Sequence, residues 1–93
     1  MKTAILGATG LVGRIMLAYL AERTWVDRDP LLLGSARSVG QALEFRGRSL
    51  PCQDAAATSL QDIDLALFSA GAATSRLYGP RLREQGTWVV DNS

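Results

Sequence analysis

Three glycines near the N-terminus, spaced three residues apart, carry the clearest chemical signal in the chain. Gly7, Gly10 and Gly13 separate a short apolar run from a segment with helical periodicity. In such a turn the first glycine lets the backbone leave the strand. The second lets a pyrophosphate approach, and the third lets the helix pack close to the strand. Amides from about Gly10 to Val12 would then point at the phosphates, aided by the helix dipole. The motif predicts a dinucleotide site.

The segment after the second apolar run bears on which dinucleotide would bind. NAD sites usually place a carboxylate there for the ribose 2′-hydroxyl, whereas NADP sites place a cation near the 2′-phosphate. This segment contains Ser35, Arg37 and Ser38, and no carboxylate lies between Leu31 and Gln41. A guanidinium presents a planar fork to a phosphate, and Ser38 adds a hydroxyl or backbone amide. The pattern favours NADP, unless Arg37 is an ordinary solvated arginine.

The elements that must position these residues alternate between strand and helix. Glycine-bounded apolar runs at residues 3–6, 31–33, 64–68 and 87–91 are typical of buried strands. Between the first two, an apolar stripe predicts an amphipathic helix of about three turns. The stripe consists of Val12, Ile15, Met16 and Tyr19. This alternation predicts an α/β fold of the Rossmann type, a parallel sheet with flanking helices.

Two further segments complete the predicted fold. Residues 43–45 and 49–50 flank Gly47, which predicts a short hairpin insertion. Residues 74–85 have helical composition, but Pro80 lacks an amide proton, so we expect a kink or a restart there. Trp25, Trp88, Phe45 and Phe68 follow no regular spacing, and we expect them to pack in a core or an interface.

Composition excludes several classes of function. The net charge is +1 with scattered basic residues, which supplies no field for nucleic acid or anionic lipid. The chain has no histidine and one cysteine, Cys52, so disulfides, Cys/His zinc sites and histidine acid–base chemistry are excluded within it.

Nothing near Cys52 in sequence would lower its pKa, so we expect a structural thiol. Asp54, Asp62 and Asp64 have poor metal-ligand spacing. No run is long enough to span a membrane, and we expect a cytoplasmic protein.

Five segments together resemble the N-terminal, cofactor-binding part of the aspartate-semialdehyde dehydrogenase family. They occur in the family's order and at about its spacing, from one end of the chain to the other. The glycine loop alone is shared with many reductases, but its combination with the other four is far more specific. The matching segments are Gly7-Ala8-Thr9-Gly10-Leu11-Val12-Gly13, Ser35-Ala36-Arg37-Ser38-Val39-Gly40, Leu43-Glu44-Phe45-Arg46-Gly47, Leu67-Phe68-Ser69-Ala70-Gly71 and Val89-Val90-Asp91-Asn92-Ser93.

The resemblance implies NADP-linked reductive dephosphorylation of aspartyl phosphate to aspartate semialdehyde, on the route to lysine, threonine and methionine. It implies that Thr9, Gly10, Leu11 and Val12 line the pyrophosphate and that Arg37 and Ser38 bind the 2′-phosphate. A final set would lie beside the nicotinamide half: Ser69, Ala70, Gly71, Asn92 and Ser93. Full-length members are expected to be homo-oligomers that bind aspartate semialdehyde and phosphate.

The family's catalytic cysteine, its acid–base histidine and its phosphate-binding arginines lie beyond the matched segments. We therefore expect residues 1–93 to be a dinucleotide-binding domain that ends before the catalytic domain and is inactive alone. An alternative is a non-catalytic NADP-sensing module of the atypical short-chain dehydrogenase/reductase type. That class also opens with Gly-Ala-Thr-Gly-x-x-Gly. Its Tyr-x-x-x-Lys pair is missing here, because Arg23 follows Tyr19 and Leu82 follows Tyr78 at that spacing.

Overall fold

The computed structural model describes residues 1–92 of the chain. Strands and helices alternate as the sequence predicts, and two short 3₁₀ turns connect them. We name these turn A (Ala36–Ser38) and turn B (Ala55–Ala57). The other elements are β1 (Thr3–Leu6), α1 (Leu11–Ala21), β2 (Leu31–Gly34), β3 (Ala42–Phe45), β4 (Arg48–Asp54), β5 (Leu65–Phe68), α2 (Ala72–Glu84) and β6 (Trp88–Asp91).

The six strands form one sheet in the order β3-β4-β2-β1-β5-β6. Only the β3–β4 pair is antiparallel, and the other pairs are parallel. The Rossmann-type parallel sheet is thus confirmed. The hairpin around Gly47 is also confirmed, but β4 continues to Asp54 and pairs with β2. Its second strand is therefore part of the main sheet, which adds one more strand end to the edge that positions the site.

The central strands β1 and β2 are covered on both faces, so their alternate residues enter different cores. Ile5 and Leu32 pack with Leu17 and Leu20 of α1. On the opposite face, a second cluster includes Tyr78 and Leu82 of α2. The strand members of that cluster are Ala4, Leu6, Leu33, Ala66 and Phe68. Burial on both faces explains why the strands read as continuous apolar runs.

The predicted core stripe of α1 is wrong, although the helix itself is confirmed. Gly13, Leu17 and Leu20 are its buried residues, whereas Ile15 is 60% and Tyr19 52% exposed. Both sets follow helical spacing, because nearly every residue of α1 is apolar. The contact of Gly13 with the preceding loop fixes which set faces the sheet, and that contact is not a periodic feature of the sequence.

Two smaller expectations also need correction. The helix α2 runs from Ala72 to Glu84 without a restart at Pro80. Pro80 is exposed, so solvent can satisfy the carbonyl that loses its intrahelical partner. Phe45 and Phe68 are buried as predicted, whereas Trp25 is 45% and Trp88 77% exposed, so these two lie outside the core and an interface for them stays a prediction. The strand expected at residues 87–91 forms as β6, but its predicted burial is wrong, because β6 is largely exposed. Within residues 1–92 no helix has the length and apolarity needed to cross a membrane.

Candidate functional site

A cleft of about 610 Å³ lies at the carboxyl ends of the parallel strands. This edge is where open α/β sheets bind their ligands. The cleft draws its walls from the ends of β1, β2, β4 and β5 and from one side of α2. Residues of the wall include Gly7, Thr9, Gly10, Gly34, Ser35, Ser38, Asp54, Ser69 and Ala70. The fold therefore gathers much of the predicted site, although those residues are far apart in sequence.

The first and third glycines of the loop are needed by the protein's own packing. A Cβ on Gly13 would lie 2.1 Å from the Gly7 carbonyl oxygen, so only glycine allows α1 to approach the loop this closely. Gly7 has φ +90° and would bring a Cβ within 2.9 Å of the Ala70 nitrogen. Its own amide donates to the Leu33 carbonyl at 2.9 Å. These two positions fix the loop between three strand ends.

The middle glycine is different, because the protein leaves space around it. A Cβ on Gly10 would meet just one atom among the described residues, the Gly7 carbonyl oxygen at an ordinary 3.5 Å. Gly10 is the N-cap of α1, and residues 1–92 provide no side-chain cap for that helix. The amides of Leu11, Val12 and Gly13 open the helix and have no intrahelical acceptor. An uncapped helix start beside an open glycine fits a pyrophosphate.

The wall at the end of β2 is closely packed and contains Ser35 and Ser38 of the predicted set, whereas Arg37 is not among the residues that line the cleft. The hydroxyl oxygens of Thr9 and Ser38 lie 3.1 Å apart, so a side-chain hydrogen bond joins the glycine loop to turn A. A Cβ on Gly34 would lie 2.9 Å from the Ser38 Cβ and 3.2 Å from the Cys52 Sγ. Arg37 lies in turn A between Ala36 and Ser38, which both line the cleft. It is exposed and makes no ion pair with the rest of residues 1–92.

A carboxylate that sequence reasoning did not assign to the dinucleotide site also lines this wall. Asp54 ends β4 and pairs in register with Gly34 of β2. Its Oδ1 accepts a hydrogen bond of 3.0 Å from the Ala56 amide and so caps turn B. From the sequence, Asp54 was considered only as a metal ligand with poor spacing, and the second strand of the hairpin was predicted at residues 49–50. A longer strand prediction would have placed it at the ligand-binding edge.

The residues predicted for the nicotinamide half are anchored mainly through the backbone. The Ser69 amide donates to the Leu6 carbonyl at 2.9 Å, and its hydroxyl donates to the Gly7 carbonyl at 3.2 Å. The Asn92 amide donates to the Phe68 carbonyl at 2.8 Å. Gly71, with φ +97°, is the N-cap of α2. Ser69 and Ala70 line the cleft, whereas Ser93 lies outside the described residues.

Cys52 does not provide a nucleophile in this site. Its side chain is 2% exposed beneath Gly34, and burial raises the pKa of the thiol. A raised pKa leaves less thiolate near neutral pH, which is the opposite of what a reactive cysteine needs. The predicted structural thiol is therefore confirmed. Within the described part of the chain, no three residues of the metal-binding types His, Cys, Asp and Glu cluster together.

The parallel sheet, the glycine loop and the open helix start define a dinucleotide-binding domain of the Rossmann type. The family model that matches residues 2–93 is described as semialdehyde dehydrogenase, NAD binding domain. The chain belongs to this family, which makes a nicotinamide dinucleotide its class of cofactor. The alternative of a short-chain dehydrogenase-like sensing module is not favoured by this match.

Relatives and solved structures agree with the family assignment. Aspartate-semialdehyde dehydrogenase of Corynebacterium glutamicum is 44% identical over 97% of this chain, and that of Legionella pneumophila is 43% identical over all of it. A Vibrio cholerae aspartate semialdehyde dehydrogenase II structure superposes with a TM-score of 0.91 and 38% identity over 99% of the chain. The chain spans 27% of the length of both relatives and 30% of the solved chain.

Proposed function

We propose that these residues form the cofactor-binding domain of an NADP-dependent aspartate-semialdehyde dehydrogenase. The whole enzyme would reductively dephosphorylate aspartyl phosphate to aspartate semialdehyde in the cytoplasm, and would act as a homo-oligomer. The names of the relatives and their identity along the entire chain support the activity. Its place in lysine, threonine and methionine biosynthesis follows from that reaction.

The choice of NADP rests on one observation, the unpaired cation beside a strand end that lacks a carboxylate. Arg37 is exposed in turn A and forms no ion pair within residues 1–92. The segment from Leu31 to Gln41 has no acidic residue that could bind a ribose 2′-hydroxyl. A free guanidinium next to the Ser38 hydroxyl suits a dianionic phosphate better than a neutral hydroxyl.

We further propose that residues 1–93 bind the cofactor but do not catalyse the reaction. Oxidation or reduction through the nicotinamide needs a substrate held next to it, and thioester formation needs an ionised cysteine. Cys52 is buried and its pKa is raised, and the chain contains no histidine to act as a proton carrier. The glycine loop, turn A and the β5 end would therefore serve to hold and orient NADP. No dehydrogenase turnover is expected from these residues alone.

Calorimetric titration of the chain with NADP and NAD tests the cofactor choice. We expect NADP to bind more tightly, and Arg37→Ala to remove most of the difference by weakening NADP binding about ten- to a hundredfold. Arg28→Ala is the matched control, because Arg28 lies in the connector that precedes β2, at the opposite edge of the sheet. Equal affinities of the unmodified chain for the two dinucleotides would contradict the proposal, as would an equal loss in both variants.

A further inference from the structure

We propose that Asp54 selects the adenine base of the cofactor by accepting a hydrogen bond from its 6-amino group. This inference rests on the proposed function, because it takes the direction of the bound dinucleotide from the glycine loop and Arg37. It assigns a specificity role to a residue that the NADP motif does not include.

The order of the strand ends carries the argument. The loop after β1 is placed to hold the pyrophosphate, and turn A after β2 holds the residues suited to the ribose phosphate. The next strand outward in the sheet is β4, and Asp54 at its end is in register with Gly34. Adjacent strands lie about 4.8 Å apart, which is close to the step from a ribose to the centre of its base. A dinucleotide that follows this row places its base at Asp54.

The carboxylate of Asp54 is held in place and still has an acceptor to offer. Its Oδ1 accepts from the Ala56 amide, and its Oδ2 makes no hydrogen bond with other groups in residues 1–92. Asp54 is half-buried and lines the cleft. An ionised carboxylate can only accept hydrogen bonds, so it pairs with the amino group of adenine. Hypoxanthine has a carbonyl oxygen at the same position, which would face the carboxylate without a proton between them.

Apolar groups beside Asp54 provide surface for a purine ring. Ala55 and Ala56 of turn B line the same cleft, and so does Leu77 of α2. The Leu77 side chain is 59% exposed, so its apolar surface is accessible to a ligand in the cleft. Burial of its exposed surface by a planar base would be favourable for any purine. We therefore assign affinity for the ring to these groups and the choice between purines to Asp54.

The test compares NADP with nicotinamide hypoxanthine dinucleotide phosphate, in which a carbonyl replaces the 6-amino group of the base and the neighbouring N1 carries a proton. Titration of the unmodified chain should give an affinity at least about tenfold higher for the adenine form. This is the effect expected when one hydrogen bond to a charged group is lost. In Asp54→Asn the preference should fall to about twofold or less, because the amide can also donate to a carbonyl. Asparagine is as good a cap as aspartate, so turn B should persist and the thermal midpoint should change little.

Asp62→Asn is the control, because Asp62 is an exposed carboxylate outside the cleft wall and should keep the full preference for adenine. Equal affinities of the unmodified chain for the two bases would overturn the inference while leaving the proposed function standing. An Asp54→Asn variant that changes the NAD-to-NADP ratio but not the base preference would place Asp54 at the ribose, and would also overturn it. Failure of the chain to bind NADP at all would reject the proposed function and this inference with it.

Discussion

The two ends of the cleft are built differently. On the adenosine side, three strand ends and two turns form a continuous wall, closed by the Thr9–Ser38 hydrogen bond and by Gly34 packed over Cys52. On the nicotinamide side, β5 contributes Ser69 and Ala70 to the wall. The Ser69 hydroxyl is already directed at the Gly7 carbonyl. The first side offers hydroxyls, the Asp54 carboxylate and the nearby guanidinium of Arg37, whereas β5 adds only two small residues to the second side.

This difference teaches where the binding free energy of the domain should come from. Groups that can make charge-assisted hydrogen bonds, such as Arg37, lie on the adenosine side. Among the described residues predicted for the nicotinamide side, the Ser69 hydroxyl is bonded to the Gly7 carbonyl and Asn92 offers an exposed but uncharged amide. The domain should therefore hold its cofactor by the adenosine half and leave the reactive ring accessible, which suits a cofactor that must meet a separately bound substrate.

The largest effect should follow from a change at the junction of the two sides. Gly10→Val places two methyl groups where the pyrophosphate must approach, and we expect NADP binding to fall at least about a hundredfold. The fold should be kept, because a Cβ at Gly10 has only one described neighbour, at 3.5 Å. Calorimetric titration with NADP measures the loss of binding, and circular dichroism checks that the fold is kept. A variant that still binds NADP would show that the cofactor does not lie on this turn.

A second prediction divides the cofactor into its halves. We expect the affinity for 2′-phospho-ADP-ribose to lie within about fivefold of that for NADP. The affinity for nicotinamide mononucleotide should be at least about a hundredfold lower than that for NADP, because this fragment lacks the 2′-phosphate and so loses one or two charge-assisted hydrogen bonds. Competition titrations against NADP on the same preparation measure both ratios. If nicotinamide mononucleotide competes as well as the adenosine fragment, the contrast between the two sides is wrong.

Paired substitutions sharpen the contrast further. Thr9→Val keeps the side-chain shape but removes the hydrogen bond to Ser38, and we expect two- to tenfold weaker binding of 2′-phospho-ADP-ribose. Ser69→Ala removes the hydroxyl bond to Gly7 on the other side while the Ser69 amide keeps its bond to Leu6. It should lower the free energy of unfolding by about 1 kcal/mol and leave the affinity for the fragment unchanged. A larger loss of affinity in Ser69→Ala would reverse the assignment.

The smallest effect concerns the buried thiol beneath the adenosine side. Because burial raises the pKa of Cys52 in the folded chain, the thiol ionises more readily when the chain unfolds. Its contribution to stability is complete below the unfolded pKa of about 8.5 and is lost as the pH rises towards the folded value. Urea unfolding between neutral and alkaline pH should therefore show a steeper loss of stability in the unmodified chain than in Cys52→Ala. Parallel pH profiles would show that the thiol is equally solvated in both states.

Local patterns were sufficient to predict most elements and the dinucleotide class. Gly7, Gly10 and Gly13 each meet a requirement that acts over a few residues, so the sequence shows them directly. The strands β1, β2 and β5 are short apolar runs, because buried strands have few polar residues, whereas β6 is an apolar run that stays largely exposed. The Gly47 hairpin is equally local. These features needed no knowledge of distant contacts.

Packing contacts decided the features that the sequence left open. The core face of α1 was predicted wrongly, because its two apolar stripes have the same period and only Gly13 against Gly7 selects between them. The entry of Asp54 into the site depends on the pairing of β4 with β2, which joins residues twenty positions apart at Gly34. The sequence by itself determined the glycine loop, Arg37 in a segment without carboxylates, and the missing histidine. Only the tertiary structure decided which carboxylate lines the cleft, because neighbours in a sheet are set by the packing of whole strands and not by their order in the chain.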